Sequence, residues 1–169
     1  MALIQSFGEF RPQVAKDAFI AQNATLIGNV TVGQKSSIWY GAVLRGDVGA
    51  IVVGARTNIQ DLVMVHMTGG RDDALVGDDV VVGHSAIIHS AKVGNGALIG
   101  MGAILLDDCE VGEGAVVAAG SVVPPGMKVP AYTLVIGSPC KVVRELGPGE
   151  RGLGRNGAQG YLELAEKYG

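Results

Sequence analysis

An aliphatic residue recurs at every sixth position through most of the chain. The recurrence holds at nineteen positions, of which sixteen are Val or Ile and three are Leu. It does not match the three- and four-residue spacing of an amphipathic helix or the alternation of a half-buried strand. A six-residue period is typical of a hexapeptide-repeat β-helix, in which three repeats form one triangular coil. The positions form four runs, namely Val14, Ile20, Leu26, Val32, Ile38 and Leu44; Val53, Ile59 and Val65; Val76, Val82 and Ile88; and Val93, Ile99, Leu105, Val111, Val117, Val123 and Val129.

The repeat predicts an all-β fold, a left-handed parallel β-helix over residues 1–137. Residues 138–169 are predicted to form a connector and a C-terminal α-helix packed on the β-helix, so that the whole chain is one domain. A β-sandwich would show varied strand spacing instead of a constant register. Five glycines lie between residues 149 and 160, and each costs about 1 kcal/mol relative to Ala inside a helix. The predicted helix therefore needs to be held by packing against the coils.

The chain has 27 glycines in 169 residues, and the register explains part of this excess. Five glycines occupy one column, the position after the first residue of the repeat on one face. We expect them to be architectural, because a Cβ there would obstruct the close approach of successive coils. The column contains Gly33, Gly54, Gly77, Gly94 and Gly112.

Composition excludes several classes of protein. The net charge of −3 and the pI of about 5.5 argue against a nucleic-acid partner, which requires a basic patch. No apolar run reaches the roughly 18 residues of a membrane span, so no membrane association is expected. The first twenty residues predict no signal peptide, and we expect a cytoplasmic protein in which Cys109 and Cys140 are free thiols.

The register of the repeat breaks three times. Three residues are inserted after Leu44, five are inserted after Val65, and one is lost after Ile88. Such breaks must bulge outward, because the inward residues are fixed by the core. The segment from Met67 to Leu75 is therefore predicted to be a surface loop, the kind of segment that often carries function.

Two of the three histidines are predicted to stack on one face of the prism. Residues at equivalent positions of successive coils form columns, and one outward column contains Arg45, His66 and His89. Coils stack at about 4.8 Å, so both imidazoles can reach one ion. The third histidine, His84, falls on the neighbouring face, one coil after Asp61.

Neighbouring faces of one prism point apart, so the three histidines do not converge easily within one subunit. They converge if the prisms associate as a homotrimer in which the two faces of adjacent subunits meet. The same packing pairs Arg45 of one subunit with Asp61 of the next, a favourable arginine–carboxylate geometry. Trp39 and Tyr40, predicted to point outward, are candidates to anchor the same seam.

Three neutral imidazoles with an open fourth position describe a catalytic zinc site. Cys109 occupies an inward position and Cys140 lies past the last coil, so neither is expected to be a ligand. Zinc lowers the pKa of bound water to about 7, and the resulting hydroxide can attack an electrophilic carbon such as that of CO2. The imidazole set is also compatible with Fe²⁺ or Co²⁺.

Five segments of the chain resemble the γ-class carbonic anhydrases. They are SSIWYGAVLRGDVG (36–49), ARTNIQD (55–61), VGHSAIIH (82–89), LIGMGAILLD (98–107) and GSPCKVVREL (137–146). The resemblance implies a homotrimer of left-handed β-helices that binds zinc at each subunit interface and converts CO2 to bicarbonate. It implies that His66, His84 and His89 are the metal ligands and that Gln60 orients the zinc-bound water. It further implies that Arg45, Asp47 and Asp61 serve trimer assembly and bicarbonate contact.

The chain departs from the archetype of that family at two places. Val48 stands where the archetype has a glutamate, and the loop after His66 has Asp72 and Asp73 but no proton-shuttling glutamate. Asp72 or Asp73 is a candidate to replace that glutamate, but we favour the interpretation that both are solvated loop charges, which leaves the rate of CO2 hydration open. Sequence does not place Asn156 and Tyr161 relative to the cleft.

Three other functions stay open at this point. The same site would serve a zinc hydrolase acting on a larger electrophile, such as a thioesterase. Many hexapeptide β-helices are acyltransferases, but these need one catalytic histidine, whereas here all three are assigned to the metal. The last alternative is a metal-binding homologue without catalytic activity.

Overall fold

The computed structural model describes residues 1–168, and Gly169, the last residue of the predicted C-terminal segment, lies outside the described residues. The predicted parallel β-helix with a C-terminal helix is confirmed. The strands are β1 (Leu3–Gln5), β2 (Gln13–Val14), β3 (Phe19–Ile20), β4 (Thr25–Val32), β5 (Ser37–Ile38), β6 (Val43–Val53), β7 (Asn58–Ile59), β8 (Met64–His66), β9 (Ala74–Val76), β10 (Val81–Val82), β11 (Ile87–His89), β12 (Lys92–Val93), β13 (Leu98–Ile99), β14 (Ile104–Leu105), β15 (Glu110–Val111), β16 (Val116–Val117), β17 (Val122–Val123), β18 (Lys128–Val129), β19 (Thr133–Gly137) and β20 (Cys140–Glu145). The helices are α1 (Leu153–Ala165) and a 3-10 turn, Glu166–Tyr168.

The strands form the three faces that the repeat predicts. The first face contains β9, β12, β15 and β18, the second contains β5, β7, β10, β13 and β16, and the third contains β8, β11, β14 and β17. The long strands β4 and β6 turn the corner from the third face to the first. All these strands pair in parallel with the next coil; Ile88, for example, lies between Val65 and Leu105. This pairing confirms the column assignments of the sequence.

The core consists of the repeat residues themselves. Every one of them from Leu26 to Val129 is buried, while Val14 and Ile20 at the open end are partly buried. The repeat extends one step further than predicted, because Val135 in β19 is fully buried and pairs with Val117. Because the inward residue of each strand is fixed in this narrow aliphatic core, its outward neighbours lie directly above one another in successive coils.

The predicted glycine column is confirmed as architectural. A Cβ on Gly94 would lie 2.7 Å from the backbone nitrogen of Glu113, and one on Gly33 would lie 2.6 Å from the carbonyl carbon of Gly54. Both obstacles are backbone atoms of the next coil, which a side-chain rotation cannot move. These glycines therefore permit the stacking distance of the coils.

The predicted loop is shorter than its sequence suggested. Met67 is buried, and Ala74 and Leu75 already belong to β9. The loop is thus confined to residues 68–73. It is anchored rather than free, because Arg71 pairs with Asp108 at 2.7 Å.

The C-terminal segment differs from the prediction in two respects. The predicted connector is strand β20, which pairs antiparallel with β19 and closes the end of the coil. Trp39 does not anchor a subunit seam: it is 3% exposed and packs edge-on against Tyr161 and Tyr168 of its own chain. The helix is held by this aromatic contact and by a close approach, since Gly154 lies against the backbone of Gly96.

The glycines of the helix are consistent with the need for packing that the sequence indicated. A Cβ on Gly154 would lie 2.1 Å from the carbonyl oxygen of Gly96, so only glycine fits where α1 meets the coil. Gly160, by contrast, faces open space and has no such role. None of the helices within residues 1–168 is long and apolar enough to cross a membrane.

Candidate metal centre

His66 and His89 lie side by side on the third face. They end β8 and β11, which pair in register with His66 opposite His89. His66 Nδ1 and His89 Nε2 are 3.3 Å apart, and the side chains are 15% and 30% exposed. Each β-strand thus presents its histidine to the same point on the surface.

The spacing of these two nitrogens fits a tetrahedral ion. Ligand nitrogens at about 2.0–2.1 Å from zinc, separated by a tetrahedral angle, lie about 3.3 Å apart. The donor type fits as well, since imidazole suits zinc, iron and cobalt. The pair could therefore hold one ion, with two of the three ligand positions of a catalytic zinc site.

Asp47 holds the first of these histidines. Its Oδ1 lies 2.9 Å from His66 Nε2, and its Oδ2 accepts a hydrogen bond from Arg45. Asp47 belongs to the three-residue insertion after Leu44. The pairing of β4 with β6 is interrupted there, because Gly28 pairs with Gly46 and Val30 pairs with Ile51, so residues 47–50 have no partner in β4. Partial burial raises the pKa of Asp47, but the hydrogen bonds from Arg45 and His66 together lower it below its ordinary value. Asp47 is therefore a carboxylate at neutral pH.

Asp107 holds the second histidine, a contact that the sequence did not reveal. Its Oδ1 lies 2.5 Å from His89 Nδ1, and its Oδ2 accepts a hydrogen bond of 2.8 Å from the Thr68 hydroxyl. The hydrogen bond with His89 lowers the pKa of Asp107, an effect that outweighs its burial. The sequence contained one indication of this contact: Leu106 follows His89 in the outward column, and the acidic Asp107 comes directly after Leu106.

His84 lies on the second face, as predicted, at the corner that follows β10. Its Nδ1 is 2.9 Å from Asp61 Oδ2, and its side chain is 43% exposed. Gln60 is 5% exposed, and its Oε1 accepts a hydrogen bond of 3.2 Å from the His84 backbone N–H. The Gln60 amide in turn donates to Asn58 at 3.0 Å. This network fixes Gln60 beside His84.

The chain by itself does not bring the three histidines together. Within residues 1–168, no group of three or more His, Cys, Asp or Glu side chains has the geometry to hold a metal ion. In one chain Arg45 pairs with Asp47 and Asp61 pairs with His84, so the predicted Arg45–Asp61 contact between subunits stays a prediction. Both cysteines are free and buried, and burial raises the pKa of Cys109 to about 12.

An apolar groove of about 530 Å³ adjoins His84 and Gln60 on the second face. Aliphatic and small residues of the second face line it, together with Leu153 and Tyr161 of α1. The structure thus places Tyr161, whose position the sequence did not predict, beside His84. Burial and the charge of Asp61 together raise the pKa of the Tyr161 hydroxyl. Asn156 is exposed and does not line this groove.

The two aspartates of the loop have structural partners. Asp72 forms an ion pair of 2.7 Å with Lys92, and Asp73 accepts a hydrogen bond of 2.8 Å from the backbone N–H of Ala50. These contacts favour the interpretation that both are loop charges.

Comparison with known proteins places the chain among hexapeptide-repeat proteins. Residues 90–125 match the family "Bacterial transferase hexapeptide (six repeats)". The chain is 40% identical, over 90% of its length and 96% of the relative, to a Methanocaldococcus jannaschii protein named "Probable carbonic anhydrase". It is 46% identical, over 92% of its length, to "Gamma carbonic anhydrase 2, mitochondrial" of Arabidopsis thaliana, but spans only 58% of that protein.

A solved structure is similar over nearly the whole chain. A hexapeptide transferase family protein from Anaplasma phagocytophilum superposes with a TM-score of 0.94 at 40% identity, and the match covers 98% of each chain. Proteins similar to this chain therefore carry the names of two different activities. The extent of the sequence identity, however, shows the family: the chain belongs to the gamma carbonic anhydrase family of hexapeptide-repeat proteins.

Proposed function

We propose that this protein is a carbonic anhydrase, which converts CO2 and water to bicarbonate and a proton at metal sites shared between the subunits of a homotrimer. The observation that carries the proposal is the pair of facing nitrogens, His66 Nδ1 and His89 Nε2, each on a ring whose other nitrogen contacts a carboxylate. The identity to proteins named carbonic anhydrase supports the choice of reaction.

His66 and His89 of one subunit and His84 of its neighbour would hold the metal, for which we propose Zn²⁺. Zinc bound there would supply a Lewis acid that lowers the pKa of a water ligand to about 7. Because His84 is 43% exposed and uses only Nδ1 to contact Asp61, its Nε2 is available to a second copy of the chain. Two adjacent histidines on the third face and one exposed histidine on the second face are compatible with a site formed between two subunits.

The residues around the histidines would bind and orient the substrates. Gln60 is fixed by its bonds to Asn58 and His84, so its amide is a rigid group beside the ligand. The partly exposed Arg45 is bonded to Asp47, which contacts His66, and its guanidinium suits a bicarbonate product. Val48 is 51% exposed and offers no group that accepts a proton, so we expect slow proton export and modest turnover.

Metal analysis and a CO2-hydration assay on the same preparation test this proposal. The wild-type protein, loaded with Zn²⁺ or Fe²⁺, is expected to hold one ion per subunit and to hydrate CO2 faster than buffer. His84→Ala is expected to lose both properties, while Gln159→Ala, on the exposed side of the helix, keeps them. Wild-type protein that retains the metal but gives no rate above buffer would refute the reaction without refuting the site.

A thioester hydrolase is the second candidate, and the groove beside His84 favours it. CO2 needs no groove of about 530 Å³, whereas an acyl chain would fill an apolar groove of this size. Acyl-CoA hydrolysis that disappears in His84→Ala would support this function. An acyl-CoA turnover that requires an amine or alcohol acceptor would instead indicate an acyltransferase.

A further inference from the structure

The polar contacts around His89 form a closed ring. From His66 the ring runs across the 3.3 Å contact to His89, then to Asp107 at 2.5 Å, and on to the Thr68 hydroxyl at 2.8 Å. Thr68 lies two residues after His66, so the backbone closes the ring. The Thr68 backbone N–H is also fixed, since it donates to the Ser90 hydroxyl at 2.9 Å. Asp107 is therefore held at both of its oxygens.

This arrangement determines which nitrogen of each ring carries the proton. A carboxylate only accepts hydrogen bonds, so the nitrogen that faces it must be N–H. His66 then carries its proton on Nε2, toward Asp47, and His89 carries its proton on Nδ1, toward Asp107. The two neighbouring histidines are thus opposite tautomers, and their unprotonated nitrogens face each other.

We propose that Asp107 is a positioning residue for the metal ligand His89. It keeps the His89 proton on Nδ1 and holds the ring so that the Nε2 lone pair points at His66 Nδ1. Thr68 supports it by fixing the other carboxylate oxygen. This inference rests on the proposed function only for the identity of the bound ion, since the tautomer is a property of the chain without metal.

The neighbouring residue, Asp108, shows that a carboxylate in this segment is not enough. Asp108 pairs with Arg71 at 2.7 Å and accepts from the backbone of Asp72, and it anchors the loop rather than a histidine. Asp107 and Asp108 therefore form a matched pair for mutation. Both carry the same charge and contact the same loop, but only Asp107 contacts His89.

Nitrogen NMR of the metal-free protein near pH 8 tests the tautomer directly. The chain has only three histidines, so single His variants assign every ring signal. We expect wild-type protein to show His89 protonated on Nδ1 and His66 protonated on Nε2. Asp107→Ala is expected to lose the His89 preference, whereas Asp107→Asn keeps it, because the amide oxygen still accepts from Nδ1–H. Asp108→Ala is expected to leave both rings unchanged.

Metal affinity, measured by competition with a chelator, tests the consequence. Loss of a group that orients a ligand histidine typically lowers metal affinity about 10-fold to 100-fold. We expect a loss in this range for Asp107→Ala, a smaller loss for Asp107→Asn, and none for Asp108→Ala. The inference is overturned if His89 carries its proton on Nε2 in the wild type, or if Asp107→Ala binds metal with unchanged affinity. A wild-type protein that shows the expected tautomers but no CO2 hydration would refute the proposed function alone.

Discussion

A metal site that is shared between subunits can be restored by mixing two defective chains. Chain one carries His84→Ala and keeps the pair His66 and His89; chain two carries His66→Ala and His89→Ala and keeps His84. In the proposed cyclic trimer, each interface joins the third face of one subunit to the second face of the next. An interface is intact only where chain one supplies the third face and chain two supplies the second face.

The expected metal content follows from counting the interfaces. A ring that holds two copies of one chain and one of the other has one intact interface, whichever chain is in excess. Each mixed trimer should therefore bind one ion, about one third of the wild-type content. If one chain supplied all its ligands, the mixed trimers would bind none, because each chain lacks at least one of the three histidines.

Co-expression with two different affinity tags isolates the mixed trimers. Metal is then counted by elemental analysis and compared with trimers in which both tags are on chain one, which should bind none. Mixed trimers without metal would refute the shared site. A His84→Ala homotrimer with full metal content would show that His84 is not a ligand.

Three further substitutions test the interface, the electrostatics and the core. Arg45→Ala should lower both trimer stability and metal content, since Arg45 is bonded to Asp47 and is predicted to reach the next subunit; sedimentation that shows an intact trimer with full metal would contradict this. Asp79 is paired with the half-exposed Arg56 at 2.7 Å, and the hydrogen bond from Arg56 lowers the pKa of Asp79. Because the folded pKa lies below the unfolded value, the pair stabilises the fold above about pH 4 and its contribution is lost as pH falls further. Asp79→Asn should therefore lower the unfolding free energy by roughly 0.5–1 kcal/mol at pH 7 and by less near pH 2, measured by urea titration; an equal loss at both pH values would contradict an electrostatic cause. Ile99→Ala should cost about 2–5 kcal/mol in the same assay, because Ile99 is fully buried in the aliphatic core, and a loss below about 1 kcal/mol would contradict the predicted register.

The repeat predicted the fold because every sixth residue points inward and fills the core. A narrow core accepts only an aliphatic side chain at Ile88 or Leu105, so the sequence of inward residues fixes the register of every strand. The register in turn places the outward residues, which is why the stacking of His66 and His89 could be predicted.

Contacts outside the repeat could not be predicted in the same way. Trp39 is an outward residue by register, but α1 covers it, and nothing in the period says on which face a helix packs. Asp107 lies one position beyond the column that holds His89, and it reaches back across the coil to the imidazole. Such a contact depends on the direction of the side chain, which the register of the repeat does not specify.

The three breaks in the repeat explain why the candidate site is on one edge of the prism. Each break follows a repeat that begins on the third face, after Leu44, Val65 and Ile88, so all three fall at the corner between the third face and the first. In the regular coils the backbone is used in pairing between strands, so the outward side chains follow the columns of the repeat. The inserted residues at the breaks lie outside the columns and can contact side chains of the third face. Asp47, from the first break, contacts His66, and Thr68, from the second, donates to Asp107. The proposed metal ligands obey the repeat. The carboxylates that contact two of them, Asp47 and Asp107, come from the first interruption and from the coil after His89. Deleting residues 47–49 to restore the period should therefore preserve the β-helix while removing the contact that orients His66.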